Sequence, residues 1–232
     1  MLRPTDERPA GQPSARAIGW VYLTYFVVAL LPLVITRGIV APGDAAATAA
    51  GLLAHESAWR AGIALSLAGN LIYIALAVLF YRLFAPVNRT ISLLGAFLAL
   101  AGATVQIVAL LLQVAPLVIL KDPLLALPQA QAEALLSLRV YNASFSLSFV
   151  IFGLFDVAIG FLIYRSTFLP RAIGMLMMLA GAGWLTFLWP PLALRLMPVV
   201  YPLGAVAELV LMAWLITKGV ELSPRATPPL DR

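Results

Sequence analysis

Six long apolar runs alternate with short polar connections along the chain. They cover about Ala17–Thr36, Ala61–Tyr81, Thr90–Pro116, Val140–Tyr164, Ala172–Trp189 and Val199–Thr217. Each is near or above the roughly 20 residues that a helix needs to cross a hydrocarbon core of about 30 Å. The pattern predicts an all-α polytopic membrane protein, a bundle of six transmembrane helices. Connections this short make consecutive helices antiparallel and the whole a single domain over residues 16–219.

The connections carry their own signals. Pro42-Gly43-Asp44 precedes the Ala-rich stretch AAATAAGLLAHESAWR. Asp44 suits an N-cap and Pro-Gly sets the turn, so a short amphipathic helix is expected on the outer surface after the first span. Lys121-Asp122-Pro123 leads to a second N-capped turn expected around Gln129–Leu138. The stretch holding Pro190, Pro191, Pro198 and Pro202 reads as an ordered turn, too rich in Pro for continuous helix. Residues 1–15 and 220–232 are polar and Pro-rich, which predicts disordered cytoplasmic tails. The first tail lacks the contiguous apolar core of a signal peptide, so the first run is expected to be a retained anchor.

Composition sharpens the class. The chain has 232 residues, of which 62% are hydrophobic and 11% charged, with a mean hydropathy of +0.99. Soluble domains carry roughly 25% charged residues, so most of this surface faces something other than water. The net charge is +5 and the sequence pI about 9.9. The basic residues sit singly at the ends of apolar runs, as topology signals do, and nucleic-acid binding is rejected. Ten of them fall with the two termini and the second-to-third and fourth-to-fifth connections, against five on the other side. The positive-inside rule then places both termini in the cytoplasm. Trp20, Tyr22, Tyr81, Tyr164, Trp189 and Tyr201 near span ends read as interfacial belts.

Cysteine is absent, which excludes disulfides, thiol nucleophiles and thiolate metal sites. His55 is the only histidine and sits beside Glu56. It has no partner for a metal site, for bis-His haem or for zinc-dependent hydrolysis within the membrane. No Lys lies within a span to form a retinal Schiff base, and an aspartyl protease needs a second buried aspartate. No metal and no cofactor is expected. The partners are the lipid bilayer and, left open, a second copy of the chain or another membrane protein.

The candidate chemistry lies at half-depth. Asp156 lies nine residues before Arg165, Glu208 ten before Lys218 and Asn70 twelve before Arg82. At 1.5 Å per residue these are depths of about 13, 15 and 18 Å, all near the midplane of a core about 30 Å thick. An ionised carboxylate alone there costs at least ~2.5–3.5 kcal/mol, so each must be protonated, paired or hydrated. Asp156 belongs to a one-face stripe of Asn142, Ser146, Phe149, Gly153, Asp156 and Gly160. The third span aligns Gly95, Ala99, Gly102, Gln106, Ala109 and Gln113; the second aligns Ser66, Asn70, Tyr73 and Ala77. Small residues admit close helix approach and amides join helices by hydrogen bonds. The candidate substrate- or proton-binding residues are Asp156, Glu208, Asn70 and Gln106. A plainer alternative has each carboxyl protonated and bonded to a neighbour, for instance Asp156 to Asn70.

Two patterns recur at larger scale. Tyr81-Arg82, Phe84-Ala85-Pro86, Arg89, Gly95 and Gly102 echo Tyr164-Arg165, Phe168-Leu169-Pro170, Arg171, Gly174 and Gly181. Arg16-Ala17-Ile18-Gly19 recurs as Arg171-Ala172-Ile173-Gly174. Three tandem hairpins of parallel orientation would give this echo, as would chance in so restricted an alphabet. Pro42-Gly43-Asp44-Ala45-Ala46-Ala47-Thr48, Val87-Asn88-Arg89 and Arg165-Ser166-Thr167-Phe168-Leu169-Pro170-Arg171 resemble a bacterial integral membrane family, domain of unknown function 4386, over nearly all of residues 15–220. The resemblance implies a six-helix protein of the bacterial inner (plasma) membrane and brings no activity with it. Two functions fit the residues. One is a small transporter or permeation protein with a midplane carboxylate site. The alternative is a structural or accessory subunit whose intramembrane polar residues only hold helices together. An enzyme is not expected, since no nucleophile–base pair is visible.

Overall fold

The computed structural model describes residues 14–219, which are helical with no strand. The elements are α1 (Ala15–Ile35), α2 (Ala45–Ala54), α3 (Glu56–Phe84), α4 (Arg89–Ala109), α5 (Leu111–Ile119), α6 (Leu127–Arg165), α7 (Arg171–Trp184) and α8 (Pro190–Thr217). A 3-10 turn, Leu185–Leu188, follows α7. Among the described residues six helical spans are long and apolar enough to cross a membrane, with α4 and α5 together making the third. The tails expected at 1–15 and 220–232 lie outside the described residues, except for Ser14 and Ala15.

Local chemistry starts these helices where polar caps occur. Ser14, Asp44 and Asn88 each accept from the backbone N–H three residues on, at 3.1, 2.9 and 3.0 Å, which satisfies a donor that the first turn leaves free. α2 forms as the Asp44 cap predicts. Large apolar side chains point outward along the spans, among them Val34, Phe97, Leu111, Leu179 and Leu194. A water-soluble monomer rarely exposes so continuous an apolar belt; lipid is its natural solvent.

Two expectations are corrected. The turn expected at Gln129–Leu138 is part of α6, which runs unbroken for 39 residues, about 58 Å at 1.5 Å per residue. Its first turns bury Ala130, Ala134, Leu135 and Leu138, so apolar burial continues the helix beyond the span. The Pro-rich stretch is likewise helical. Pro190 and Pro191 occupy the first turn of α8, where no N–H is needed, and Pro198 and Pro202 lie inside it. In lipid the remaining backbone groups have no partner except the helix itself, so the helix persists around its prolines.

The spans close into a ring. α1 packs on α3, α3 on α4, α4 on α6, α6 on α7, α7 on α8, and α8 back on α1. At the end bearing Arg82, Arg89, Arg165 and Arg171, Phe84 stacks on Phe168 with centroids 6.0 Å apart. A small residue meets the neighbouring helix three times there. A Cβ on Gly19 would lie 2.9 Å from the Ile216 nitrogen and one on Gly174 2.6 Å from the Tyr164 nitrogen. Between them in the chain, Ser92 Oγ donates to the Tyr81 carbonyl at 3.0 Å. Gly19, Ser92 and Gly174 each lie three residues after an arginine (Arg16, Arg89, Arg171) and rest on the last turn of the helix before them in the ring. The structural counterpart of Gly174 in the second hairpin is thus Ser92, and Gly95 packs instead on Ile159 of α6.

The opposite end is covered by α2, α5 and the first third of α6, around Ile39, Leu52, Trp59, Leu117 and Leu138. The Trp59 indole donates to the Gln113 carbonyl at 2.8 Å. Pro116 has no N–H to offer the Leu112 carbonyl, and Ser137 Oγ of α6 fills that role at 2.8 Å. Glu56 joins Lys121 at 2.6 Å and Arg60 at 2.9 Å.

Candidate functional site

α6 is flanked on both sides by residues spaced seven apart. Phe152 and Ile159 meet Gly102 and Gly95 of α4, whereas Gly153 and Gly160 meet the backbone of α7 at Gly181 and Gly174. Asp156 lies three or four residues from each of these four, so it projects between the two flanks toward the middle of the ring. The packing of the neighbours therefore aims the carboxylate.

Asp156 is 4% exposed. Glu208 of α8 and the Trp184 side chain at the end of α7 lie within electrostatic range of it. Tyr22 and Tyr25 of α1 and Tyr73 of α3 lie within range of both carboxylates. The rings pack in sequence from α1 to α3 to α6. Tyr25 lies 4.9 Å from Tyr73, and Tyr73 lies 5.1 Å from Phe152 and 5.9 Å from Phe155. Two carboxylates, three phenols and an indole from five helices thus share one level of the ring. Among the described residues no basic side chain acts electrostatically on Asp156 or Glu208.

The four candidates do not all converge. Asp156 and Glu208 lie within electrostatic range of each other. Asn70 is buried but donates to the Ser66 carbonyl of its own helix at 2.9 Å, so the alternative bond to Asp156 is not made. Gln106 donates to Ser148 Oγ at 3.0 Å, joining α4 to α6. Tyr22, read from its position as interfacial, is instead 4% exposed in the core, with its ring edge-on to Phe80 at 5.6 Å. Tyr22 and Tyr25 are one helical turn apart, a spacing that places both on one face. Tyr73 already stood on the polar seam of its helix. For Trp184 the sequence offers no comparable signal.

Both ends of this level are closed by side chains. Toward the α2 end, Phe149, Trp184, Phe187 and Tyr201 touch in every pairing, with centroids 4.8–6.0 Å apart. Toward the arginine-bearing end, Phe80, Phe84, Leu162 and Leu215 are almost wholly buried. The described residues contain no group of three or more His, Cys, Asp or Glu that would hold a metal ion. An apolar groove between α3 and α4, lined by Ile74, Val78, Leu93 and Phe97, lies on the outside of the ring.

The family model described as domain of unknown function DUF4386 matches residues 17–219. No curated protein and no solved structure matches the chain.

Proposed function

We propose that this chain, which belongs to the family described as domain of unknown function DUF4386, is a small transporter or permeation protein that carries protons on the Asp156–Glu208 pair. The observation that supports this reading is that two carboxylates lie within electrostatic range inside a closed ring of helices, with no basic side chain acting on them among the described residues. Two carboxylates within electrostatic range of each other inside a span, one buried and one half-buried, favour at least one exchangeable proton on the pair. Three tyrosine hydroxyls at the same level can pass it on. The closely packed rings leave room for a proton more readily than for a larger ion. Buried ionisable residues in a span are costly, and proton pathways are among the functions that retain them.

The basic ends of α1, α3, α4, α6, α7 and α8 share one side of the ring and, on this reading, face the cytoplasm of a bacterial inner membrane. The rival role is structural or accessory, favoured by the Gln106 bond to Ser148 that ties α4 to α6. Reconstituted protein with a pH-sensitive dye inside the vesicles separates the two. Transport predicts proton flux that Asp156→Asn reduces at least tenfold while monodisperse yield is kept. Equal dye response in protein-containing and empty vesicles would refute it.

A further inference from the structure

We propose that the groove between α3 and α4 binds one anionic phospholipid, its acyl chain laid in the groove and its phosphate against Arg89, beside Arg82. The site lies on the outside of the ring and does not depend on the carboxylate pair.

Helical spacing puts the parts in register. Arg89, Leu93, Phe97 and Leu100 advance by four, four and three residues, so they share one face of α4. On α3, Ile74, Val78 and Arg82 are four apart and share another face. The two apolar faces form the walls of one groove, with Ala77 and Ala96 between them. Ala77 is buried and Ala96 half-buried, and their small side chains leave space that larger ones would fill. Val78, Leu93, Phe97 and Leu100 stay exposed along the rims. Residues 85–88 join α3 to α4, so both arginines stand at the same mouth of the groove.

Shape and charge select the occupant. The groove holds about 140 Å³, close to the ~150 Å³ at which an engineered apolar cavity takes up benzene. That volume admits a stretch of acyl chain, whereas a helix is about 10 Å across. Leu100 lies eleven residues beyond Arg89, about 16 Å along the helix. This is close to half of a core roughly 30 Å thick, the depth of one leaflet. A lipid with its phosphate at the arginines therefore reaches the far end of the groove with its tail. Arg89 is exposed, and among the described residues its side chain has no acidic or aromatic partner. At the same end of the ring, Arg165 lies over the Phe161 ring at 5.9 Å and Arg171 over Tyr164 at 5.6 Å. A guanidinium matches phosphate in a planar, two-pronged contact. Basic sites between helices at a membrane face select anionic headgroups for this reason.

Native mass spectrometry of the full chain tests the site, after titration in detergent with phosphatidylglycerol or phosphatidylcholine of equal chain length. One phosphatidylglycerol per chain should be retained, at least about fivefold tighter than phosphatidylcholine. Arg89→Gln should weaken phosphatidylglycerol about fivefold and leave phosphatidylcholine unchanged, while Arg165→Gln changes neither. Ala96→Phe should weaken both lipids by filling the groove. Arg89 and Arg165 are both exposed, so the comparison between their variants decides the matter even where Ala96→Phe fails to fold. Equal retention of the two lipids would overturn the proposal. An equal loss in Arg89→Gln and Arg165→Gln would overturn it too, since a diffuse attraction to positive charge gives that result. A two-chain mass abolished by Ala96→Phe would overturn it in favour of a second copy of this chain in the groove.

Discussion

Substituting alanine for glycine at two positions of the ring isolates what tertiary contact contributes. At Gly160 a Cβ would lie 2.7 Å from the Gly174 carbonyl oxygen and 2.7 Å from the Met178 nitrogen. Even close carbon–oxygen contacts keep about 3.3 Å, so α6 and α7 must part by roughly half an ångström. Both obstructing atoms belong to helix backbone and have no rotamer to escape into. At Gly95 the nearest neighbour of the same added atom is Ile159 Cδ1 at 3.6 Å, an ordinary contact. Both substitutions gain about 0.8–1 kcal/mol of helix propensity. Only Gly160→Ala carries the overpacking cost of about 1–3 kcal/mol. Thermal unfolding in detergent, followed by circular dichroism, should therefore rank Gly95→Ala at or above the parent and Gly160→Ala below it. At about 2–4 °C per kcal/mol for a chain of this size, the two variants differ by at least ~2 °C. Equal melting temperatures, or Gly160→Ala the higher, would refute the close approach of α6 and α7.

The cover at the α2 end offers two further tests. Ser137→Ala leaves the Leu112 carbonyl without the donor that Pro116 fails to supply, at a cost of about 1–3 kcal/mol. In a Pro116→Ala background the restored N–H should reduce that loss, and an equal loss in both backgrounds would refute the assignment. Asp44→Ala removes the cap that accepts from Ala47 N–H at 2.9 Å, a loss of about 1 kcal/mol. Amide exchange in the first turn of α2 should then quicken about fivefold. Unchanged exchange there would count against the cap.

Much of the architecture was readable from the chain because the bilayer leaves few choices. Runs of about 20 apolar residues must be helical to satisfy their backbone groups, and six such spans are present among the described residues. The Asp44 cap announced α2 for a reason confined to four residues. The prolines of α8 misled because proline rules describe water, where a broken helix can bond to solvent. The first turns of α6 were hidden because only the burial of Leu135 and Leu138 beneath neighbouring elements decides that they continue the helix.

Depth along a helix is fixed by residue count, so the sequence by itself determined that Asp156 and Glu208 lie at one level. It could not determine azimuth. The direction in which Asn70, Gln106 and Trp184 point depends on how each helix rotates against its neighbours. That rotation is set by contacts such as Gly153 and Gly160 against α7 and Gly102 against Phe152. The tertiary structure turned Asn70 toward Ser66 and Gln106 toward Ser148. It brought Tyr22, Tyr25, Tyr73 and Trp184 to the carboxylates in their place. Which polar groups share a level follows from counting along one strand of chain, whereas which of them meet depends on side-chain packing between helices.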